Sequence, residues 1–189
     1  MSLYSKNKLL NLFIFVVAII LQMKYSCLFT IFCFISFSCL SAQNLFESFY
    51  FQMPIDDAKA ILNKNSKTLK KLSFGSGTNY AFRNRSFVER DKKLVSINIW
   101  SKQNLTLLEA TDYLKNTRSH FESQNYKVVY AQENWSNPNL IMKNLPGVRF
   151  VDEDKTVLIE LYPRGQGSVY NVFITFYNYD WFIDRARGK

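Results

Sequence analysis

The chain has 189 residues, 24 lysines and arginines against 15 aspartates and glutamates, a net charge of +9, one histidine and three cysteines. Every cysteine lies before residue 40, which excludes a disulfide-stapled scaffold for the remainder and, with a single histidine, leaves only carboxylates for any metal. No catalytic, cofactor or nucleotide motif stands out, so composition and patterning bear on class, compartment and binding surface.

Residues 1–42 differ from everything after them, with no acid, only Lys6, Lys8 and Lys24, and two apolar runs. The second run reads as a secretory signal peptide over residues 23–42. Lys24 forms its short basic region, Leu28 to Phe37 its apolar core, and Ser41 and Ala42 the small residues before a cut at Gln43. Residues 1–22 are then an upstream extension, because neither run reaches the roughly 18 to 20 apolar residues that span a bilayer. The alternatives are an uncleaved amino-terminal anchor, the chain's one route into a membrane, and a lipid-modified Cys39, which lacks the expected aliphatic residue three places upstream.

The remaining 147 residues, 43–189, carry a net charge of +6 and are long enough to bury a core of their own. They are expected to form one exported α+β domain, with two halves of similar order, 43–103 and 104–189. Asn44 to Met53 is aromatic and extended. A short helix follows over about residues 56–63, with Asp56 as N-cap and Ala58, Ile61 and Leu62 as its apolar face. Thr68 to Phe74 is ambiguous, Gly75 to Gly77 is a turn, and Asn79 to Phe87 and Leu94 to Trp100 read as strands. In the second of these, Val95, Ile97 and Ile99 alternate with Ser96, Asn98 and Trp100.

The strongest pattern is a long amphipathic helix over about residues 106–125. Leu107, Ala110, Leu114, Thr117 and Phe121 recur at steps of three and four, Leu108 and Tyr113 widen the stripe, and Thr106 with Glu109 forms a capping box. Beyond it come a strand at Tyr126 to Ala131, a polar loop from Glu133 to Pro146, and strands at Val148 to Val151, Val157 to Tyr162 and Val169 to Tyr177. The acidic turn Asp152 to Lys155 and a loop from Pro163 to Ser168 join these last three. The fold predicted is thus α+β, an antiparallel sheet with the long helix packed on one face and helix-then-meander order occurring twice. In architecture this order is similar to cystatin-like folds and to the tandem helix-and-meander layout of small envelope and inhibitor proteins, a likeness that implies a binding module and brings no site residues with it.

Two surfaces are candidates. Residues 59–93 carry a charge of +8, and Lys67, Lys70, Lys71, Arg83, Arg85, Lys92 and Lys93, interleaved with Phe74, Tyr80, Phe82 and Phe87, suit an anionic polymer or a membrane surface. An exported protein meets anionic glycan or lipid headgroups sooner than nucleic acid. The second candidate is a recognition patch of Trp100, Trp135, Tyr177, Tyr179 and Trp181, joined by Phe173 and Phe182 of the aromatic tail, since aromatics concentrate at interfaces. Asp152, Glu153 and Asp154 lack the glycine and distal glutamate of a calcium loop. Asp152 or Asp154 with Glu160 is the one carboxylate pair to consider for hydrolysis. His120 has no sequence partner, and the Gly165 to Ser168 loop has no helix behind it to receive phosphate. Asn84, Asn104 and Asn134 open glycosylation sequons.

The expected function is an exported module, periplasmic, envelope-associated or secreted, that binds an unknown protein or surface ligand and is not an enzyme. Polyanion binding through 59–93 is the alternative, and a hydrolase the third. Intact-mass measurement of the exported protein is expected to find a chain beginning at Gln43; a chain retaining residues 1–42 selects the anchor instead.

Overall fold

The computed structural model describes residues 43–69, 71–144 and 146–188; residues 1–42, on which the expected signal peptide and its upstream extension fall, and Lys70 lie outside the described residues. The chain opens with a small hairpin, β1 (Asn44–Phe46) and β2 (Phe49–Tyr50), followed by α1 (Ile55–Lys64) and the short α2 (Ser66–Leu69). Next come β3 (Tyr80–Ala81), a single 3-10 turn (Asn84–Ser86), β4 (Phe87–Arg90) and β5 (Lys93–Ser101). The long helix α3 spans Leu107–Ser123 and leads to β6 (Lys127–Gln132) and α4 (Pro138–Met142). The strands β7 (Gly147–Val151), β8 (Val157–Gln166) and β9 (Val169–Asn178) and a last helix, α5 (Tyr179–Ala186), complete it.

All pairings are antiparallel. The main sheet runs β3-β5-β9-β8-β7-β6, with β4 sharing the outer edge of β5. The α+β architecture is therefore a β6-to-β9 meander joined through β9 to the strands of the first half. Thr106 caps α3 as its sequence requires: the Glu109 amide donates to Thr106 Oγ1 at 3.3 Å, and the Thr106 amide donates to Glu109 Oε2 at 2.7 Å.

α3 packs across β8 and β9. It buries Ala110, Tyr113, Leu114, Thr117 and Phe121 against Ile174 and Phe176 of β9, Ile159 and Leu161 of β8, and Phe150 of β7. Phe121 stacks on Phe74 with centroids 5.4 Å apart and reaches Phe150 at the same distance. Leu108 departs from the expected stripe and is 73% exposed, because its angular position falls beyond the contact with the sheet. Loop 73–78 is locked to this helix. A side chain at Gly75, whose φ is +95°, would strike the Asn116 carbonyl at 2.4 Å, and Asn116 Nδ2 donates to the Ser76 carbonyl at 3.0 Å.

Several boundaries differ from the pattern in the sequence, each for a local reason. Asp56 is not the N-cap of the short helix: Pro54 holds that position, with no side-chain cap bond, and Ile55 is already helical and buried. The strand expected over Asn79 to Phe87 is broken at Arg83 by the 3-10 turn, where the Arg83 amide donates to Ser86 Oγ at 3.1 Å. The Glu133 to Pro146 loop contains α4, which Asn137 caps and Pro138 starts. Strand β8 runs on through Pro163 to Gln166, so the expected loop shrinks to a turn at Gly167 and Ser168. After β9 the chain forms α5, with Asn178 Oδ1 accepting from the Trp181 amide at 2.8 Å.

Inside the core, the Tyr80 hydroxyl and Thr117 Oγ1 meet at 2.6 Å with both residues fully buried, and burial raises the phenol's pKa well above its ordinary value. Each group is the other's polar partner. Tyr80→Phe and Thr117→Val are each expected to cost about 1–3 kcal/mol in denaturant unfolding, because each strands one buried hydroxyl, whereas the double variant costs clearly less than the sum. Additive losses count against the pair.

Candidate functional site

Strand alternation gives the sheet two faces. The first, carrying Ile97, Ile99, Ile174 and Phe176, is closed by α3 and the amino-terminal hairpin; Phe46 lies 4.7 Å from Phe176. The second carries the other residues of the same strands. Cross-strand register places Trp100 beside Phe173 and Phe173 beside Tyr162, and in the next row Asn98, Thr175, Glu160 and Arg149 follow one another across four strands. Ser96, Tyr177, Leu158 and Val151 make the third row. Among the described residues α5 is the helix that lies over this face, and none of its residues is fully buried.

The first row is an aromatic strip with a guanidinium at either end. Tyr162 and Phe173 stack nearly parallel at 5.5 Å with 7° between their planes. Arg164 lies over the Tyr162 ring at 4.3 Å, and Arg85 over Trp100 at 4.4 Å. Each such contact contributes about 0.5–1 kcal/mol, while the guanidinium edge keeps its donors. Among the described residues no carboxylate forms an ion pair with Arg85, Arg164 or Arg185. Arg164 is half-buried, and that burial pulls its pKa down from the ordinary value.

Beside the strip is a groove of about 300 Å³ lined by Val88, Asn98, Tyr162, Thr175, Trp181 and Arg185, among others. The Trp181 ring lies parallel to that of Tyr177 at 6.1 Å, and Phe182 meets Tyr177 at 5.1 Å. Arg149 sits between them and the strand edge, 5.2 Å over Phe182 and 5.1 Å over Tyr130, with Nη2 and Nε each 2.9 Å from Glu160 Oε1. In the groove wall Asn98 Oδ1 is buried and accepts no hydrogen bond from any described residue.

Of the patch expected from the sequence, the structure brings Trp100, Tyr177 and Trp181 to this face. Tyr179 is half-buried at the first position of α5, its amide bonded to the Thr156 carbonyl at 3.0 Å. Trp135 is elsewhere: it is 5% exposed and belongs to the core cluster. Tyr162, Arg149, Arg164 and Asn98 join the site without having been singled out; a period-two reading of β8 carried past Tyr162 would have put Arg164 on the Tyr162 side. In the basic segment, Lys67, Lys71, Arg83, Arg85, Lys92 and Lys93 are exposed, whereas Phe74, Tyr80, Phe82 and Phe87 are all buried and offer no ring for stacking.

The carboxylates considered for hydrolysis are engaged in other ways. Asp152 Oδ1 accepts from the amides of Thr156 at 2.7 Å and Val157 at 2.9 Å, while Glu160 holds Arg149. His120 packs edge-on to Phe74 and Phe121, and burial lowers its pKa. Among the described residues no three or more histidine, cysteine or acidic side chains converge as metal ligands, and no helix is long and apolar enough to cross a membrane. No family model, curated protein or solved structure matches this chain.

Burial, then the Glu160 charge and Tyr162, push the Tyr177 phenol up to about 12. A phenol whose folded pKa lies above its unfolded value contributes stability that is complete below the unfolded pKa near 10 and disappears as pH rises towards 12. Ultraviolet difference titration is expected to show Tyr177→Phe lacking one phenol that ionises near pH 12, and the variant to lose less stability than the parent between pH 10 and 12. A missing phenol that ionises near pH 10 contradicts this.

Proposed function

We propose that the protein is an exported, non-enzymatic binding module that recognises its ligand through the second face of the sheet. The observation that carries this reading is the half-exposed strip of Trp100, Phe173 and Tyr162 with its adjoining groove, left open by a helix of eight residues. Aromatic and arginine side chains are the types concentrated where proteins bind: the rings supply large contact area with about two rotatable bonds each, and the guanidinium supplies directed donors. Export rests on the signal-like residues 23–42 alone.

A polyanion reading through residues 59–93 keeps one specific support. Arg85 belongs to that segment, and it is also the guanidinium over Trp100, so part of the basic charge is delivered to this same face.

The test is positional. A photo-crosslinking residue at Val88, 42% exposed on the groove rim, is compared with one at Val129, 56% exposed on β6, in the protein incubated with envelope extract of its source at low and high salt. Adducts from position 88 and few from 129 are expected. Adducts from 129 alone, or from neither position, refute the reading.

A further inference from the structure

Resting on the second face as the recognition surface, we propose that its ligand is an acidic polysaccharide, held by Arg85 and Arg164 at the two ends of the aromatic strip and by Asn98 beneath it. The first argument is charge. Arg85, Arg149, Arg164 and Arg185 all set their guanidinium groups over rings around this face, while Glu160 forms its ion pair with Arg149 and acts on Arg164 only through space. Half-buried Arg164 has no carboxylate in contact, and its Nη1 donates only to the Pro163 carbonyl at 2.7 Å. A cation so placed is completed by an anion from outside.

The second argument is spacing. Rings and guanidiniums stand in the order Arg85, Trp100, Phe173, Tyr162, Arg164, so the stacked faces are used among themselves and the donor edges remain for the ligand. β5 and β8 are separated by β9, and two interstrand steps put the ends of the strip about 10 Å or more apart. One small anion cannot reach both ends. A chain with repeated anionic groups can, its apolar ring edges crossing the aromatic strip.

The third argument separates a sugar polymer from an acidic peptide. The site is on a sheet face, where the strands' backbone groups are already paired, so it cannot add a peptide as a further strand. What it offers beside the arginines is half-buried Asn98 with its unsatisfied acceptor; the Ser96 and Thr175 hydroxyls are buried behind it, and Thr175 Oγ1 already meets the Tyr162 hydroxyl at 3.2 Å. That acceptor calls for a donor placed close to an anionic group. An acidic sugar carries both on one ring, its hydroxyls donating while its carboxylate or sulfate accepts from arginine.

Binding is measured with the full chain, by tryptophan fluorescence titration and affinity electrophoresis against four polymers: polygalacturonate, dextran sulfate, neutral dextran and polyglutamate. Polygalacturonate or dextran sulfate, whichever matches the natural anion, is expected to bind at least tenfold more tightly than polyglutamate, with dextran not binding and affinity falling as salt rises. R85Q and R164Q are each expected to weaken binding about tenfold, and Asn98→Ala several-fold. K67Q and K71Q, with equal loss of charge outside the strip and groove, change it less than twofold. Circular dichroism confirms that each variant is folded, and Arg85, exposed at the surface, can be removed without opening the core.

Equal binding of polyglutamate overturns the sugar assignment, and equal effects of K67Q and R85Q overturn the strip as the site. If no acidic polymer binds while crosslinks still form at Val88, the ligand class is wrong and the face remains the recognition surface. If both fail, so does the reading beneath it.

Discussion

The pairing of β5 with β9 sets every other feature in place. It joins residues more than 70 positions apart, and its register decides two things together. On one side it puts Ile97 opposite Phe176 and Ile99 opposite Ile174, closing the core beneath α3; on the other it puts Trp100 beside Phe173 and Asn98 beside Thr175. A slip of one residue would turn Trp100 and Asn98 into the core and the isoleucines out of it. The candidate surface is thus specified as strongly as the hydrophobic interior, because the same hydrogen bonds define both.

The two faces are covered unequally. α3, the β1–β2 hairpin and the partly buried Phe46 close the first, and the aromatic cluster of Phe74, Phe121, Phe150 and Phe176 fills the space between helix and sheet. The second receives α5, about two amphipathic turns whose large apolar residues are only half-buried. Where no second long helix is present, guanidinium planes lie on the rings. They shield aromatic area while staying charged at the edge.

The sequence makes some of this plain. The capping box at Thr106 and Glu109 and the 3.6-residue recurrence through Phe121 define α3 almost to the residue, and alternation reveals β5, β7 and β9 because one side of each is core. α5 is harder to see, since Tyr179, Trp181, Phe182 and Ile183 favour extended chain; only the Asn178 cap and the acid-to-base order from Asp180 to Arg185 argue for a helix. Trp135 is a polar-loop tryptophan by sequence and a core residue by tertiary contact. The arginine and ring pairs were beyond reach for a different reason: Arg85 over Trp100 spans a turn and a strand, and Arg149 over Phe182 joins β7 to the last helix. Such contacts depend on register, which periodicity alone does not fix.

The position of β9 in the chain has a consequence of its own. It lies in the interior of the sheet, between β5 and β8, yet it follows both of them in the chain. Until it arrives, β5 has no inner neighbour and α3 has lost half of the surface it rests on. Local helix can form early, but the long-range closure waits for β9, a topology that folds slowly because its decisive contacts are distant in sequence. Strands β3 to β8 are therefore all made before the sheet can close around its central pairing, so most of the domain's backbone exists before its core does.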